Sequence, residues 1–150
     1  MILFVVVNIS HKVAQLACQE GQPSLLIRPL IKLSLKVCPN HTHLNSIDAD
    51  ILQVAISAHM YSVALNYLSL YQFNQLEPKD FPINTVDILR FFYYSGIVYI
   101  SSKQFQKALE SFDQVLAIPA HNISTVAIEA YRKAVLVKLI YHGKKYQIPK

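Results

Sequence analysis

Cys38, His41 and His43 fall within six residues, Cys38-Pro39-Asn40-His41-Thr42-His43, and thiolate and imidazole are the ligand types that zinc prefers. A structural site needs four such ligands. A catalytic site needs three with an open water position, and each ligating ring needs a hydrogen bond behind it to hold its orientation. The segment reads as a polar loop between helices, where His and Cys commonly stand with no metal. No metal ligand is assigned to it.

The pair His41 and His43 also has the His-x-His spacing of the zinc isopeptidases that cleave ubiquitin-like modifiers. That pattern continues with seven residues, a serine, two residues and an aspartate. Here those two positions hold Ile51 and Val54, and Ser46 and Asp48 come too early to replace them. Asp48 and Asp50, two apart on a helix, point to different faces and do not form an acid–base pair; they read as carboxylates at the positive end of a helix dipole. There is no Gly-rich phosphate loop, no G-x-S-x-G elbow and no C-x-x-C. No catalytic, cofactor-binding or metal residue is assigned, no cofactor is expected, and the chain is not read as an enzyme.

The elements that would have to position any site are helices. Of the 150 residues, 53% are hydrophobic and 15% charged, which excludes disorder and makes the chain rather apolar for a self-contained domain. Either the core is generous or part of the surface is meant to be covered. Three glycines supply too few tight turns for a sheet sandwich. The net charge of +5 concentrates late, in Arg132, Lys133, Lys138, Lys144, Lys145 and Lys150, and reads as a solvated face. No stacking platform or nucleic-acid motif accompanies it, so no nucleic acid is expected as a partner. Two cysteines, Cys18 and Cys38, make no disulfide framework and fit a reducing compartment. The apolar run Ile2 to Val7 is far short of the ~20 residues that span a bilayer, and it lacks the basic start of a secretory signal. Asn-x-Ser/Thr triplets at Asn8, Asn40 and Asn122 therefore carry little weight, and no membrane association is expected.

The pattern predicts seven helices. The first runs from His11 to Glu20, stopped by Gly21-Gln22-Pro23, and the second from Ser24 to Val37 with Pro29 as a kink. The third runs from an N-cap at Ser46 to Ala58, and the fourth from Tyr61 to Phe73, after a break at His59-Met60. A loop at Glu77 to Pro82 precedes the fifth helix, which Thr85 and Asp87 open. The sixth carries Phe105, Ala108, Leu109, Phe112, Val115 and Leu116 at helical spacing and ends at Pro119. The seventh runs from Asn122 to His142, with Gly143 as its stop. Residues 1–10 are left unassigned, with Ile2 to Val7 as a short strand at most.

Short helices joined by short breaks pack as antiparallel pairs, so the fold class is all-α, tetratricopeptide-like stacked hairpins of the α-solenoid type. Gly96 sits inside the fifth helix at a cost of roughly 1 kcal/mol relative to alanine. Phe92, Gly96 and Tyr99, followed by Ala108, Phe112 and Val115, have the large–small–large spacing of such a hairpin. That places Gly96 and Ala108 where the helices approach most closely, with alanine at Gly96 tolerated. A weaker echo appears at Leu52, Ala55, Ala64 and Leu68, with 44 residues between Ala64 and Ala108. The seventh helix, with Ile123, Ala127, Ala130, Tyr131 and Ala134 along one side, lacks a partner.

The run Phe91-Phe92-Tyr93-Tyr94-Ser95-Gly96-Ile97-Val98-Tyr99, with Lys103-Gln104-Phe105-Gln106-Lys107-Ala108-Leu109, resembles the subunit 3 family of the COP9 signalosome. The resemblance continues through Ile118-Pro119-Ala120, Glu129-Ala130-Tyr131-Arg132-Lys133 and Leu139-Ile140-Tyr141-His142-Gly143-Lys144 to Gln147-Ile148-Pro149-Lys150. It is looser at Leu30-Ile31 and Ser46-Ile47-Asp48-Ala49-Asp50. It implies a non-catalytic scaffold subunit of cytoplasm and nucleus, with residues 11–150 as a helical-repeat domain cut before a PCI domain. The implied partners are other subunits of a multisubunit complex that removes Nedd8 from cullins, its catalytic zinc held by a different subunit. No small-molecule substrate is implied. The competing readings are a free-standing tetratricopeptide-like peptide-binding module and a sister PCI-family subunit of the proteasome lid or a translation initiation factor. A peptide binder should line its groove with polar clamps, whereas a scaffold should expose an apolar end.

Overall fold

The computed structural model describes residues 2–37, 44–70, 84–118 and 125–143, with side-chain surroundings for all of these except 2, 3 and 142. Every regular element among them is a helix: α1 (Ile2–Gln19), α2 (Ser24–Val37), α3 (Ser46–Ser57), α4 (Tyr61–Leu68), α5 (Thr85–Ser101), α6 (Phe105–Ala117) and α7 (Thr125–His142). The all-α expectation holds. The helices fall into two compact units, Met1–Asn84 and Thr85–Lys150.

In the first unit α3 is the centre, packed by α1, α2 and α4. Its sequence explains the position: Ile47, Ala49, Ile51, Leu52, Val54 and Ala55 spread over more of its circumference than one neighbour covers, and all six are buried. The opening run is helix and not a strand. Val, Ile and Phe lower the intrinsic helix propensity there, but Ser10 and Ala14 recur at helical spacing and are buried against the unit, and packing outweighs propensity. α2 continues through Pro29. The backbone carbonyl that proline leaves without a donor belongs to Leu25, an exposed residue whose surroundings admit water.

In the second unit α5, α6 and α7 each touch the other two. Ala108, Leu109, Phe112 and Val115 of the α6 stripe are buried, and Phe105 and Leu116 are half-buried at its ends. On α5 Gly96 and Tyr99 are buried as the spacing suggested, but the buried aromatic before the glycine is Phe91, and Phe92 is half-buried. Ser95 donates its hydroxyl to the Phe91 carbonyl at 2.8 Å, which satisfies a polar group buried inside the helix.

The helix ends repeat one device. α3 closes with His59 N–H donating to the Ile56 carbonyl and Met60 N–H to the Ala55 carbonyl. α5 closes with Lys103 donating to Ile100 and Gln104 to Tyr99, the same pair of bonds 44 positions later. These are Schellman ends, and they require a left-handed residue at the turn: φ is 55° at His59 and 58° at Lys103. α1 ends on a left-handed Gly21 (φ 74°) with Gln22 N–H donating to the Ala17 carbonyl at 3.2 Å, and Gly143 (φ 63°) follows α7 where the sequence placed it. The hairpins α3–α4 and α5–α6 are thus copies of one turn, and the irregular repeat read from Ala64 and Ala108 is real at the backbone level. A side chain at a left-handed position is strained, so His59→Gly and Lys103→Gly are each expected to raise stability by about 0.5–1 kcal/mol. Denaturant midpoints of the two variants check this; a loss of stability in both would contradict the turn assignment.

Candidate functional site

Buried polar groups are the first places to look for chemistry, and α3 holds two wholly buried carboxylates, Asp48 and Asp50. Asn45, not Ser46, is the N-cap. Its backbone is extended, its side-chain oxygen accepts from Ile47 N–H at 2.9 Å, and its own N–H donates to Asp48 Oδ2 at 2.8 Å, which closes a capping box. Asp48 Oδ1 accepts from Ser34 Oγ of α2 at 2.8 Å and from the Tyr67 hydroxyl of α4 at 2.7 Å. Asn45 Nδ2 donates to Ser34 Oγ at 2.9 Å. One carboxylate therefore ties α2, the N-terminus of α3 and α4 together.

Asp50 faces the other way, toward α1. It accepts from Ser10 Oγ at 3.0 Å and from His11 Nδ1, which lies 2.7 Å from Oδ2 and 2.8 Å from Oδ1. Serine, histidine and aspartate are the residue types of a nucleophilic triad, but the geometry is wrong for one. In a relay the serine gives its proton to the imidazole, and the aspartate holds the other ring nitrogen. Here serine and histidine both bind the same carboxylate, and Ser10 is only 3% exposed. The trio fastens α1 to α3. The two aspartates do point to different faces, as their spacing implied. Asp48 sits in the first turn with the dipole role assigned to it, and Asp50, one residue beyond that turn, acts as a tertiary anchor.

Neither carboxylate joins a metal cluster: among the described residues no three His, Cys, Asp or Glu side chains gather to hold an ion. Cys38, His41 and His43 lie outside the described residues. Cys18 sits 3.4 Å from Ser57 Oγ at the surface. In the second unit the phenols are structural too. Burial, with Glu110 nearby, pushes Tyr99 above its usual 10.0, and burial with Glu129 and Tyr94 does the same for Tyr93, so both stay neutral at physiological pH.

What the second unit offers instead is a surface. α7 meets its own unit through small residues, Ala130 and Ala134, and through Val137, with the Tyr141 ring 5.8 Å from that of Phe105. Helical spacing puts Ile128, Leu136 and Leu139 on the opposite side, together with the exposed Glu129–Arg132 pair, and Tyr131 and Ile140 on its two flanks; all five apolar residues are exposed, Ile140 to 73%. α5 and α6 cover the first side within this unit, and the exposed apolar residues across the helix suit a further neighbour. The basic residues read at the end of the sequence divide: Arg132 pairs with Glu129 at 2.6 Å in an exposed i,i+3 bridge, and Lys144, Lys145 and Lys150 lie outside the described residues.

The family model for COP9 signalosome complex subunit 3, N-terminal helical repeats, matches residues 3–150. The chain belongs to that family. Among curated relatives, the COP9 signalosome complex subunit 3 of Dictyostelium discoideum is 37% identical over 109 residues, covering 73% of this chain and 26% of the relative. The protein of the same name from Arabidopsis thaliana is 32% identical over 124 residues, covering 83% of this chain and 27% of the relative. The chain spans about a quarter of the length of these relatives. The match starts at residue 3, so the apolar opening that sequence reading left unassigned lies within the helical-repeat region, in keeping with an α1 that begins at Ile2.

Sequence reasoning missed the partners of the two aspartates: Ser34, Asn45, Tyr67, Ser10 and His11. One signal was available. Ile47, Ala49 and Ile51 interleave with the two carboxylates, and a carboxylate buried among such residues must find donors on neighbouring helices.

Proposed function

We propose that the chain is a non-catalytic scaffold element of the COP9 signalosome, the complex that removes Nedd8 from cullins, acting in cytoplasm and nucleus through contacts with other subunits. The domain reading becomes a helical-repeat arm that takes in the opening residues and stands ahead of a PCI domain in the whole subunit. The observation that carries the proposal is the outward apolar side of α7 in a chain of this family. Polar clamps along a groove would favour a peptide binder; an exposed row of Leu, Ile and Tyr favours a packed protein neighbour. The hydrogen bonds of Asp48 and Asp50 are spent on holding helices together, which supports the absence of catalysis. No small molecule, nucleic acid or membrane is required by this reading; no described helix is long and apolar enough to cross a membrane.

Affinity isolation of the tagged chain from cells tests the proposal. Other signalosome subunits are expected in the isolate, and the purified chain alone is expected to leave a Nedd8–cullin conjugate intact. Recovery of proteasome-lid or initiation-factor subunits in their place, or deconjugation by the purified chain, would overturn it.

A further inference from the structure

α1 and α2 both pack on α3, and between them lies an open groove of about 210 Å³. Its walls are Val6, Ile9 and Val13 from α1 and Leu26, Pro29 and Leu33 from α2. On each helix these residues recur at i, i+3 and i+7, two parallel ridges with a trough between them. The floor is Leu30 and Ser10, and Ser10 spends its hydroxyl on Asp50, so little polar surface faces the trough. Ile9 is 56% exposed. The dimensions and lining suit the apolar edge of a third helix laid along the trough.

The charges around the groove have one sign. α1 and α2 contain Lys12, Arg28, Lys32 and Lys36 and no acidic residue; Glu20, in the turn between them, is the one acid among residues 2–37. All four cations are exposed, and none makes an ion pair among the described residues. By helical position Lys12 lies beside Ile9, and Lys32 and Lys36 lie beside Pro29, so basic residues rise on both rims. We propose that this groove docks an amphipathic helix of a partner protein, with apolar residues at i, i+3 or i+4, and i+7, and with Asp or Glu on both flanks. The apolar edge supplies contact in the trough, and the carboxylates meet the lysines and set orientation. The proposal rests on the scaffold reading only for the class of ligand, because the outward side of α7 plays no part in it.

The test uses the full chain carrying Leu139→Glu and Ile140→Glu, which silence the α7 surface, so that failure here is separable from failure of the signalosome assignment. Two fluorescent helical peptides share a leucine edge at i, i+3, i+4 and i+7; one has glutamates on its flanks and the other lysines. Fluorescence anisotropy is expected to show the glutamate peptide binding at least about tenfold more tightly, with the preference shrinking as salt rises. Ile9→Asp, a change at an exposed position, should weaken that binding about tenfold with helix content unchanged by circular dichroism. Lys32→Glu with Lys36→Glu should reverse the preference, and Lys107→Glu, in the other unit, should do nothing. Equal binding of the two peptides, no binding of the glutamate peptide, or binding indifferent to Ile9→Asp would overturn the proposal. So would a dimer that forms without peptide and dissolves on Ile9→Asp, which would make a second copy the occupant.

Discussion

Gly96→Leu is expected to destabilise the second unit by about 3 kcal/mol, and Phe112→Leu in the same chain to restore most of the loss. A Cβ built on Gly96 would stand 2.5, 2.6 and 2.9 Å from three atoms of the Phe112 ring, and Phe112 is entirely buried. The close approach inferred from sequence is therefore real, but its partner is the Phe112 ring and not Ala108. That changes the expectation for alanine. Its helix propensity favours it by roughly 1 kcal/mol, yet overpacking a filled core costs about 1–3 kcal/mol per insertion, so Gly96→Ala is expected to destabilise on balance. The first unit shows how the same hairpin is filled differently. Forty-four positions before Gly96 and Phe112 stand Leu52 and Leu68, both fully buried. Two medium side chains there take the place of none and one large ring here. Copying that solution, Gly96→Leu with Phe112→Leu, should give a coupling energy above about 1 kcal/mol in a double-mutant cycle by denaturant unfolding. Additive losses would mean the two positions do not share one space.

Asp48→Ala is expected to cost about 3–5 kcal/mol. It removes the acceptor of Ser34, Tyr67 and the Asn45 N–H together; the Ser34 and Tyr67 hydroxyls, 2.9 Å apart, can still bond each other, so one hydroxyl and the Asn45 N–H are left stranded, each at a cost of about 1–3 kcal/mol. Removal of the capping box adds to the loss. Tyr67→Phe leaves the carboxylate its other donors and should cost about 1–2 kcal/mol. The exposed Glu110→Ala provides the comparison, at less than about 0.5 kcal/mol. Thermal or denaturant unfolding of the three variants gives the ranking. An Asp48→Ala protein as stable as Glu110→Ala would mean that the three-helix network contributes nothing.

The helices were legible where pattern and punctuation agreed. The α6 stripe, the Gly21 and Gly143 stops and the start of α5 at Thr85 follow from residue spacing and turn chemistry alone. The opening of α1 was not legible in that way, because Phe4, Val5, Val6 and Val7 disfavour helix locally and only the docking of Ser10 and Ala14 decides the matter. Phe91 and Phe92 are both aromatic, so periodicity left their register open by one residue. The Schellman ends at His59 and Lys103 were hidden because neither residue is glycine. For the candidate surface, sequence reading gave the side of α7 that holds Ala130 and Ala134 as the one without a partner, whereas those two are buried within the unit and the exposed apolar residues Ile128, Leu136 and Leu139 lie across the helix. The polar ties of Asp48 and Asp50 depend on which helices surround α3, a tertiary fact that no local pattern encodes.

If the outward apolar side of α7 is a joint to another subunit, quantitative isolation of the tagged chain from cells, wild type against Leu139→Glu with Ile140→Glu, will show it. Both residues are more than half exposed, so the double variant should melt with the wild-type protein. Recovery of the other signalosome subunits should fall at least about tenfold, as expected when charges enter the centre of an apolar contact. Undiminished recovery with the folded double variant would show that α7 makes no such joint.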